Sequence, residues 1–207
     1  MLELRQRYVD ALVAGDLALA ERLIEDSGTD IRSLYLQVLQ PALYEIGRRW
    51  QEAEISVAQE HLATATTQSL MARLAGRFDD RAPRRDRRVL VACAEGELHS
   101  IGVRMVADFL EADGWDVLFV GALSPPAAVA ELAAVQRVDV VALSAALAQR
   151  VPEIAKAVAA LRALEHVPVI AVGGQAFGGD ANAALSTGAD LYAPDAAAFV
   201  RELAILF

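Results

Sequence analysis

The sequence predicts an α/β protein in which a helical bundle precedes a doubly wound parallel sheet. Two observations carry this prediction. Residues 1–79 place apolar side chains at helical spacing, with short breaks between the periodic runs. From residue 89 onward, short β-rich runs alternate with helical stretches, which is typical of a parallel sheet covered on both faces. We therefore expect a bundle at 1–79, a linker at 80–88 and a second domain at 89–207.

The first region is predicted to contain four helices. The first ends at Gly15, and Asp16 can cap the second. The third run is the longest, and Pro41 predicts a kink in it because proline removes one backbone donor. The fourth begins after Ser56, with Gln59 three residues later as in a capping box. Four helices with short connections indicate a small bundle.

The second region contains five predicted strands, "RVLVACA", "WDVLFVG", "VDVVALS", "VPVIAVGG" and "ADLYAP". The helical stretches that follow them lie at about 101–113, 125–135, 151–165, 178–187 and 195–206. This alternation predicts a flavodoxin-like or Rossmann-like doubly wound sheet with strand order 2-1-3-4-5. Ligands bind such sheets beyond the carboxyl ends of the strands. The candidate site therefore comprises the loops "AEGELHSIG", "SAALAQ" and "GGQAFGG", after strands one, three and four.

Composition excludes several classes of protein. Hydrophobic residues make up 55% and charged residues 23%, which is ordinary for a soluble globular protein. No apolar run approaches the roughly 18 to 20 residues of a membrane span. The first residues show no apolar signal region, so export is not expected. The single cysteine, Cys93, lies in a predicted strand and fits a reducing compartment, so we expect a cytoplasmic protein.

The charge distribution disfavours nucleic acid as a partner. The net charge is −9, and residues 89–207 carry 14 acidic against 6 basic side chains, whereas nucleic-acid binders are usually basic. The one basic cluster is "RAPRRDRR" at 81–88, which either contacts phosphate or forms a solvated linker. We interpret it as a linker, because it contains Pro83 and lies between two periodic regions.

The glycine-rich loop after the fourth strand does not match a nucleotide-binding motif. No G-x-G-x-x-G opens the first helix of the sheet domain, and no G-x-x-x-x-G-K-[ST] occurs. Gly173 and Gly174 instead offer bare backbone, which suits a flat or bulky group lying against the main chain. A plain turn is the alternative interpretation.

The histidine in "EGELHSIG" is a candidate metal ligand. A single protein ligand holds a metal weakly unless a macrocyclic cofactor fills the equatorial positions and leaves an axial one for imidazole. Glu97 can accept the other ring N–H of His99, which fixes the tautomer and raises the basicity of the ligand. Gly102 leaves room for a bulky group, and Ser144 with the glycine pair lines a slot for an appended tail. The alternative is an ordinary loop histidine.

The segment E-L-H-S-I-G resembles the D-x-H-x-x-G signature of cobalamin-binding Rossmann-like domains, with a glutamate in place of the usual aspartate. Its residues are Glu97, Leu98, His99, Ser100, Ile101 and Gly102. The resemblance implies that His99 replaces the cofactor's own benzimidazole beneath cobalt, and that the displaced nucleotide tail inserts beside the sheet. The family lines that tail with an S-x-L segment and a G-G pair. Here these are Ser144, with Ala146 where the family has leucine, and Gly173-Gly174.

The helical region extends the resemblance. "WQEAEISVAQEH" is similar to the W-x9-E-H motif of the CarH-type light sensors, which use 5′-deoxyadenosylcobalamin beneath a four-helix cap. The resemblance implies that Trp50 and Glu60 pack around the adenosyl group. Val57, Glu60 and His61 are at i, i+3 and i+4 of one helix, so they share a face. The alternative is a core tryptophan and an exposed helix start.

Two departures from that family qualify the resemblance. CarH-type regulators carry an N-terminal helix-turn-helix domain, whereas this sequence begins at the cap and is acidic, so we expect no direct DNA binding. Gln51 stands where the family has the histidine that takes the upper axial position after illumination. His61 is a candidate substitute, and water is the alternative.

The resemblance implies a stand-alone light sensor and not an enzyme. Adenosylcobalamin would bind between cap and Rossmann-like domain, and light would cleave its Co–C bond and alter homo-oligomerisation or binding of an unknown protein. The photocobilins, which are stand-alone relatives, add a bilin such as biliverdin. Cys93 is no obvious attachment point, so a non-covalent bilin stays open. The rival interpretations are a corrinoid methyl carrier of a methyltransferase system and a cobalamin-free interaction domain.

Overall fold

A computed structural model of the chain describes residues 1–78 and 82–207. Two residues of the predicted linker at 80–88, Asp80 and Arg81, lie outside the described residues. The chain divides into two compact units, Met1–Asp79 and Asp80–Phe207. No helix in the described part of the chain is long and apolar enough to cross a membrane.

The first unit is helical. Its elements are α1 (Leu2–Ala14), α2 (Leu17–Glu25), α3 (Ile31–Leu34), a π-helical turn (Tyr35–Leu39), α4 (Gln40–Gln51), α5 (Val57–Leu74) and a 3₁₀ turn (Ala75–Arg77). The carboxylate of Asp16 accepts a hydrogen bond from the Leu19 N–H, and Ser56 with Gln59 completes a capping box, so both predicted caps are present. The elements α3, the π-helical turn and α4 form one uninterrupted run.

The proline in this run changes the helical winding. Pro41 has no N–H, so it cannot donate to the carbonyl four residues earlier. Just before it, the Gln40 N–H donates to the Tyr35 carbonyl, five residues back, which widens the helix into the π-helical turn. At the position of the predicted kink, the helix therefore changes its hydrogen-bond register locally.

The interior of the first unit holds one buried polar pair. The hydroxyls of Tyr8 and Thr67 lie 2.9 Å apart, and both residues are fully buried. Burial raises the pKa of Tyr8 to about 12, because it disfavours the phenolate. The pair therefore satisfies two hydroxyls within a largely apolar core, whose largest buried members include Leu12, Ile24, Tyr35, Ile46 and Leu70.

The second unit is built on a parallel sheet. The described residues form five strands: β1 (Arg88–Cys93), β2 (Asp116–Gly121), β3 (Val140–Ser144), β4 (Val169–Gly173) and β5 (Leu191–Ala193). Their order is β2-β1-β3-β4-β5, which confirms the predicted doubly wound topology. The helices are α6 (Ile101–Ala112), α7 (Pro126–Gln136), α8 (Val151–Arg162), α9 (Ala181–Leu185) and α10 (Ala196–Leu206).

Both faces of the sheet are buried. Alternate residues of β1 belong to different clusters: Leu90 packs with α7 and α8 residues, whereas Val89 packs with α6 and α10 residues. Every described residue of β1 after Arg88 is buried. The near-continuous apolar strands read from the sequence therefore reflect a sheet covered on two sides.

The described part of the arginine-rich segment is largely exposed and irregular, and it also makes specific contacts with the sheet unit. The Arg85 N–H donates to the Gly114 carbonyl at 2.7 Å, and its guanidinium lies 3.0 Å from Asp113. Arg87 pairs with Asp139 at 2.6 Å. The described part of this segment is thus bonded to the amino edge of the sheet, where acidic side chains offer partners for the arginines.

Candidate functional site

The carboxyl edge of the sheet brings the predicted loops together. The last residues of β1, β3, β4 and β5 stand in register, in the order Cys93, Ser144, Gly173 and Ala193. Loops leaving this row carry most of the residues that the sequence predicts for the site. Doubly wound sheets bind their ligands at this edge.

The centre of the edge is a carboxylate–histidine pair. Glu97 is only 1% exposed, and its Oε1 contacts Nδ1 of His99 and accepts the His99 N–H at 3.1 Å. The imidazole side chain is 51% exposed. A neutral ring in this arrangement carries its proton on Nδ1 and directs the Nε2 lone pair away from the carboxylate. This is the orientation of a metal-ligating histidine supported by a carboxylate.

Glu97 is held as an anion. Burial alone raises the pKa of a carboxyl group, but here hydrogen bonds from His99 and from the Ala146 backbone outweigh it. The result is a pKa of about 2 for Glu97. The neighbouring Cys93 shows the opposite balance, because burial and the charge of Glu97 raise the pKa of its thiol to about 12. The site thus contains a fixed carboxylate and a neutral thiol.

Glu97 also ties three loops together. Its Oε2 accepts the Ala146 N–H at 3.0 Å and the Leu147 N–H at 3.3 Å, both from the loop after β3. Its carbonyl accepts the Leu123 N–H at 3.2 Å, from the loop after β2. The sequence predicts the bond to His99 and misses these three. Their donors are backbone groups, which leave no signature in the residue pattern.

The glycine pair after β4 is explained by neighbouring backbone. A Cβ on Gly173 would lie 2.7 Å from the Ala193 carbonyl oxygen, and one on Gly174 would lie 2.2 Å from that of Ala145. Gly174 also has a φ of 102°, and its missing Cβ position is 2.9 Å from Ser144 Oγ. Contacts within the chain therefore account for these glycines, whereas the sequence suggested space for a flat group.

Unlike Gly173 and Gly174, Gly102 has no close neighbours that would exclude a side chain. It lies in the first turn of α6, and a Cβ added there would meet nothing within 4 Å. Neither its φ nor its packing calls for glycine, although glycine weakens a helix. The open space beside it is therefore available to a group from outside the chain.

The remaining predicted residues of this loop divide between surface and interior. Leu98 is 68% exposed, Ser100 is the N-cap residue of α6, and Ile101 is buried at 7% exposure. Ala146 contributes its backbone N–H to Glu97. In the described part of the chain, no group of three or more His, Cys, Asp or Glu side chains is arranged to hold a metal ion.

The helical unit carries the second predicted group. Trp50 is 42% exposed near the end of α4, and Val57 is 50% exposed at the start of α5, so the tryptophan is not a core residue. Glu60 holds His61 through Nδ1 at 2.6 Å and accepts the Thr64 hydroxyl at 2.9 Å. Thr64 was missed, although its i+4 spacing from Glu60 was visible in the sequence.

These two groups correspond to two matched family models. A model described as a B12 binding domain matches residues 87–201, and a second, also described as a B12 binding domain, matches residues 4–75. The chain belongs to the B12-binding domain family. It is accordingly a cobalamin-binding protein. The exposed imidazole of His99, held through Nδ1, and the open space at Gly102 fit a corrinoid whose cobalt takes one axial nitrogen from the protein.

A curated relative of this B12-binding chain is the HTH-type transcriptional repressor CarA of Myxococcus xanthus. The two are 34% identical over 175 residues, which span 83% of this chain and 58% of the repressor. This identity extends over both units of the chain and supports the same family.

Solved structures of corrinoid proteins share the fold. The Methanosarcina barkeri monomethylamine corrinoid protein has a TM-score of 0.86 at 20% identity, covering 100% of this chain and 99% of that one. A cobalamin-binding protein from Desulfitobacterium hafniense DCB-2 has a TM-score of 0.55 at 21% identity, with 100% of both chains covered. The methanol:cobalamin methyltransferase complex MtaBC from Methanosarcina barkeri has a TM-score of 0.54 at 17% identity, covering 99% and 79%.

Proposed function

We propose that this B12-binding chain is a light sensor, not an enzyme, and that it binds 5′-deoxyadenosylcobalamin. In this proposal His99 is the lower axial ligand, while Trp50, Val57 and Glu60 contact the adenosyl group. The observation that carries it is the exposure of Trp50 at 42%, near the end of α4, and of Val57 at 50%, on the same helix as the Glu60–His61 pair. Large exposed apolar side chains together with a largely buried carboxylate are suited to a bulky ligand with polar edges.

The chain's own residues suggest how a signal would arise. When bound, adenosylcobalamin supplies a cobalt–carbon bond that visible light breaks. Trp50 and Val57 would lose a contact if the adenosyl group left, and their exposed apolar surface would then favour association. We propose that the output is a change in homo-oligomerisation or in the binding of a downstream protein. His61, held through Nδ1 by Glu60, is our candidate for the upper axial ligand after illumination.

A test uses the full chain reconstituted with adenosylcobalamin in the dark. We expect illumination to change both the absorption spectrum and the elution volume in gel filtration. Trp50→Ala should abolish the change in elution volume. Tyr44→Ala is the matched control, because Tyr44 is an aromatic residue of the same helix with 43% exposure, and it should behave as the wild type. An unchanged spectrum and elution volume after illumination would overturn the proposal.

We propose a bilin such as biliverdin as a second chromophore, bound without a covalent bond. Cys93 is buried and its thiol pKa is raised, so it is a poor nucleophile for a thioether bond. Protein co-expressed with a bilin source should show a red absorption band, and denaturation in acid organic solvent should separate the chromophore from the protein. Absence of that band would remove the bilin from the proposal.

A second candidate function is a corrinoid methyl carrier. The likeness over nearly the whole length of the monomethylamine corrinoid protein, at a TM-score of 0.86, favours it. A carrier needs His99 but has no need of Trp50. The test adds a methyltransferase and its thiol acceptor to protein loaded with methylcobalamin in the dark. Transfer of the methyl group to the thiol, at the same rate in the wild type and in Trp50→Ala, would support the methyl-carrier function.

A further inference from the structure

The turn after β2 holds a leucine in an unfavourable backbone conformation. Leu123 has a φ of 57°, in the left-handed region that branched side chains rarely adopt. Its side chain is 57% exposed, so burial within the chain does little to offset this cost. The other non-glycine residues with positive φ, among those described, are Ala53 and Arg137. A conformation of this kind persists only where the surroundings fix it.

Hydrogen bonds fix this turn. The Leu123 N–H donates to the Glu97 carbonyl at 3.2 Å. The next residue, Ser124, is 5% exposed and donates its hydroxyl to the Gly121 carbonyl at 3.2 Å. Gly121 supplies a φ of 76° at the end of β2. The turn is therefore closed on itself and bonded to the loop after β1, which leaves the leucine side chain directed by a rigid backbone.

The turn that carries Leu123 is bonded to the residue that holds the metal-ligand candidate. The Glu97 carbonyl belongs to the peptide bond that joins Glu97 to Leu98, and the side chain of the same glutamate holds His99. Leu98 is itself 68% exposed. Two exposed leucines, Leu98 and Leu123, are thus attached through the backbone to the residue that orients the imidazole. An isolated exposed leucine needs no explanation, but a pair anchored to the residue that orients His99 does.

We propose that Leu123 is a cofactor-positioning residue, whose side chain packs against the macrocycle of a corrinoid ligated by His99. The proposal rests on the cobalamin site described above. The corrin ring is the occupant because it is a broad, largely apolar ring centred on the axial ligand, so residues next to His99 meet the ring before they meet its nucleotide tail. The strained turn is then maintained because it presents an apolar contact to the cofactor.

The test compares the affinity of the wild type and Leu123→Asn for two corrinoids. Asparagine tolerates the left-handed conformation and removes the apolar side chain. Spectroscopic titration with hydroxocobalamin should give a Kd raised about tenfold, in line with the loss of one large apolar contact. Titration with cobinamide, which lacks the nucleotide tail, should show the same factor. Leu123→Gly should give the same result without backbone strain.

Two matched controls separate this role from general effects. Arg137→Asn alters another left-handed position, which follows α7 at the amino edge of the sheet. Val135→Asn removes an apolar side chain of α7 that is 71% exposed. Both variants should keep the wild-type Kd for both corrinoids. Circular dichroism melting of each variant confirms that the fold is retained.

The outcomes distinguish this proposal from the one on which it rests. Wild-type protein that binds no corrinoid would overturn the site itself. Leu123→Asn and Leu123→Gly that bind both corrinoids with the wild-type Kd would overturn the role of Leu123 and leave the cobalamin site standing. Weakened binding of hydroxocobalamin alone would place the contact on the nucleotide tail, and so would also overturn contact with the macrocycle.

Discussion

Each unit of the chain contains one carboxylate–histidine pair, and the two pairs differ in how they are held. Glu97 is 1% exposed and binds backbone groups of distant loops in addition to His99. Glu60 has an 18% exposed side chain, and its partners, His61 and Thr64, both lie on its own helix. The first pair is part of the tertiary structure, whereas the second is local.

This difference indicates different roles. Moving His99 away from Glu97 would leave a buried carboxylate with one partner fewer, at a substantial cost. Moving His61, whose side chain is 74% exposed, exchanges its bond to Glu60 for bonds to water at little cost. His99 is thus held rigidly within the sheet unit, whereas His61 can change its partner at little cost; under the proposed function the first would be a constant ligand and the second a changing one.

We expect the largest difference in stability and in cofactor binding between substitutions of Glu97 and of Glu60. Glu97→Ala should lower the free energy of unfolding by about 3 kcal/mol, because it leaves several buried donors without an acceptor. It should also weaken hydroxocobalamin binding about 10- to 100-fold, the usual effect of losing a residue that orients a ligand. Glu60→Ala should lower the free energy of unfolding by less than about 1 kcal/mol. Urea unfolding measures the stability of each variant, and spectroscopic titration measures its affinity for hydroxocobalamin. Equal losses of stability and affinity in the two variants would show that the two carboxylate–histidine pairs are held alike.

The next largest effect is the loss of stability at high pH that we expect from the buried Tyr8–Thr67 pair. The pKa of Tyr8 is raised by burial to about 12, so the native state favours the neutral phenol. A raised pKa contributes stability that is fully present below the ordinary value near 10 and is lost as the pH rises through about 12. The wild type should lose about 2 kcal/mol over this window relative to Tyr8→Phe.

Unfolding curves at intervals between pH 10 and pH 12 test this expectation. Parallel losses of stability in the wild type and in Tyr8→Phe would mean that Tyr8 titrates normally. The Tyr8–Thr67 pair would then contribute no pH-dependent stability to the helical unit.

We expect the smallest effect from Gly102→Ala, which should raise stability and weaken cofactor binding. Gly102→Ala should stabilise the protein without cofactor by about 0.5–1 kcal/mol, because alanine favours the helix and nothing within 4 Å obstructs its Cβ. The same methyl group should weaken cobalamin binding by occupying the open space. Gly47→Ala in α4 is the control for helix propensity and should give a similar gain in stability. Unweakened binding by Gly102→Ala would show that the cofactor does not approach this turn.

The sequence predicts the features that local patterns encode. Alternating strands and helices predict the strand order, and Glu97 and His99 are two residues apart in a short motif. The bonds from Leu123, Ala146 and Leu147 to Glu97 escape prediction because backbone donors from distant loops make them.

Local patterns can also mislead about causes. Pro41 was visible in the sequence, but the π-helical turn that accommodates it was not predicted. Gly173 and Gly174 were recognised as special, although the carbonyls that they avoid belong to residues far along the chain or across a loop. Residue type indicates that a position is constrained, and the tertiary structure shows what constrains it.

The most direct measurement of the lower ligand is an electron paramagnetic resonance spectrum of protein carrying cobalt(II) cobalamin, prepared with nitrogen-15-labelled histidine. If His99 is the axial ligand, the superhyperfine lines from one axial nitrogen should change from triplets to doublets on labelling, and His99→Ala should abolish the doublets. Triplets that persist in the labelled protein would show that the cofactor keeps its own benzimidazole on cobalt. That result would contradict the role assigned to the Glu97–His99 pair.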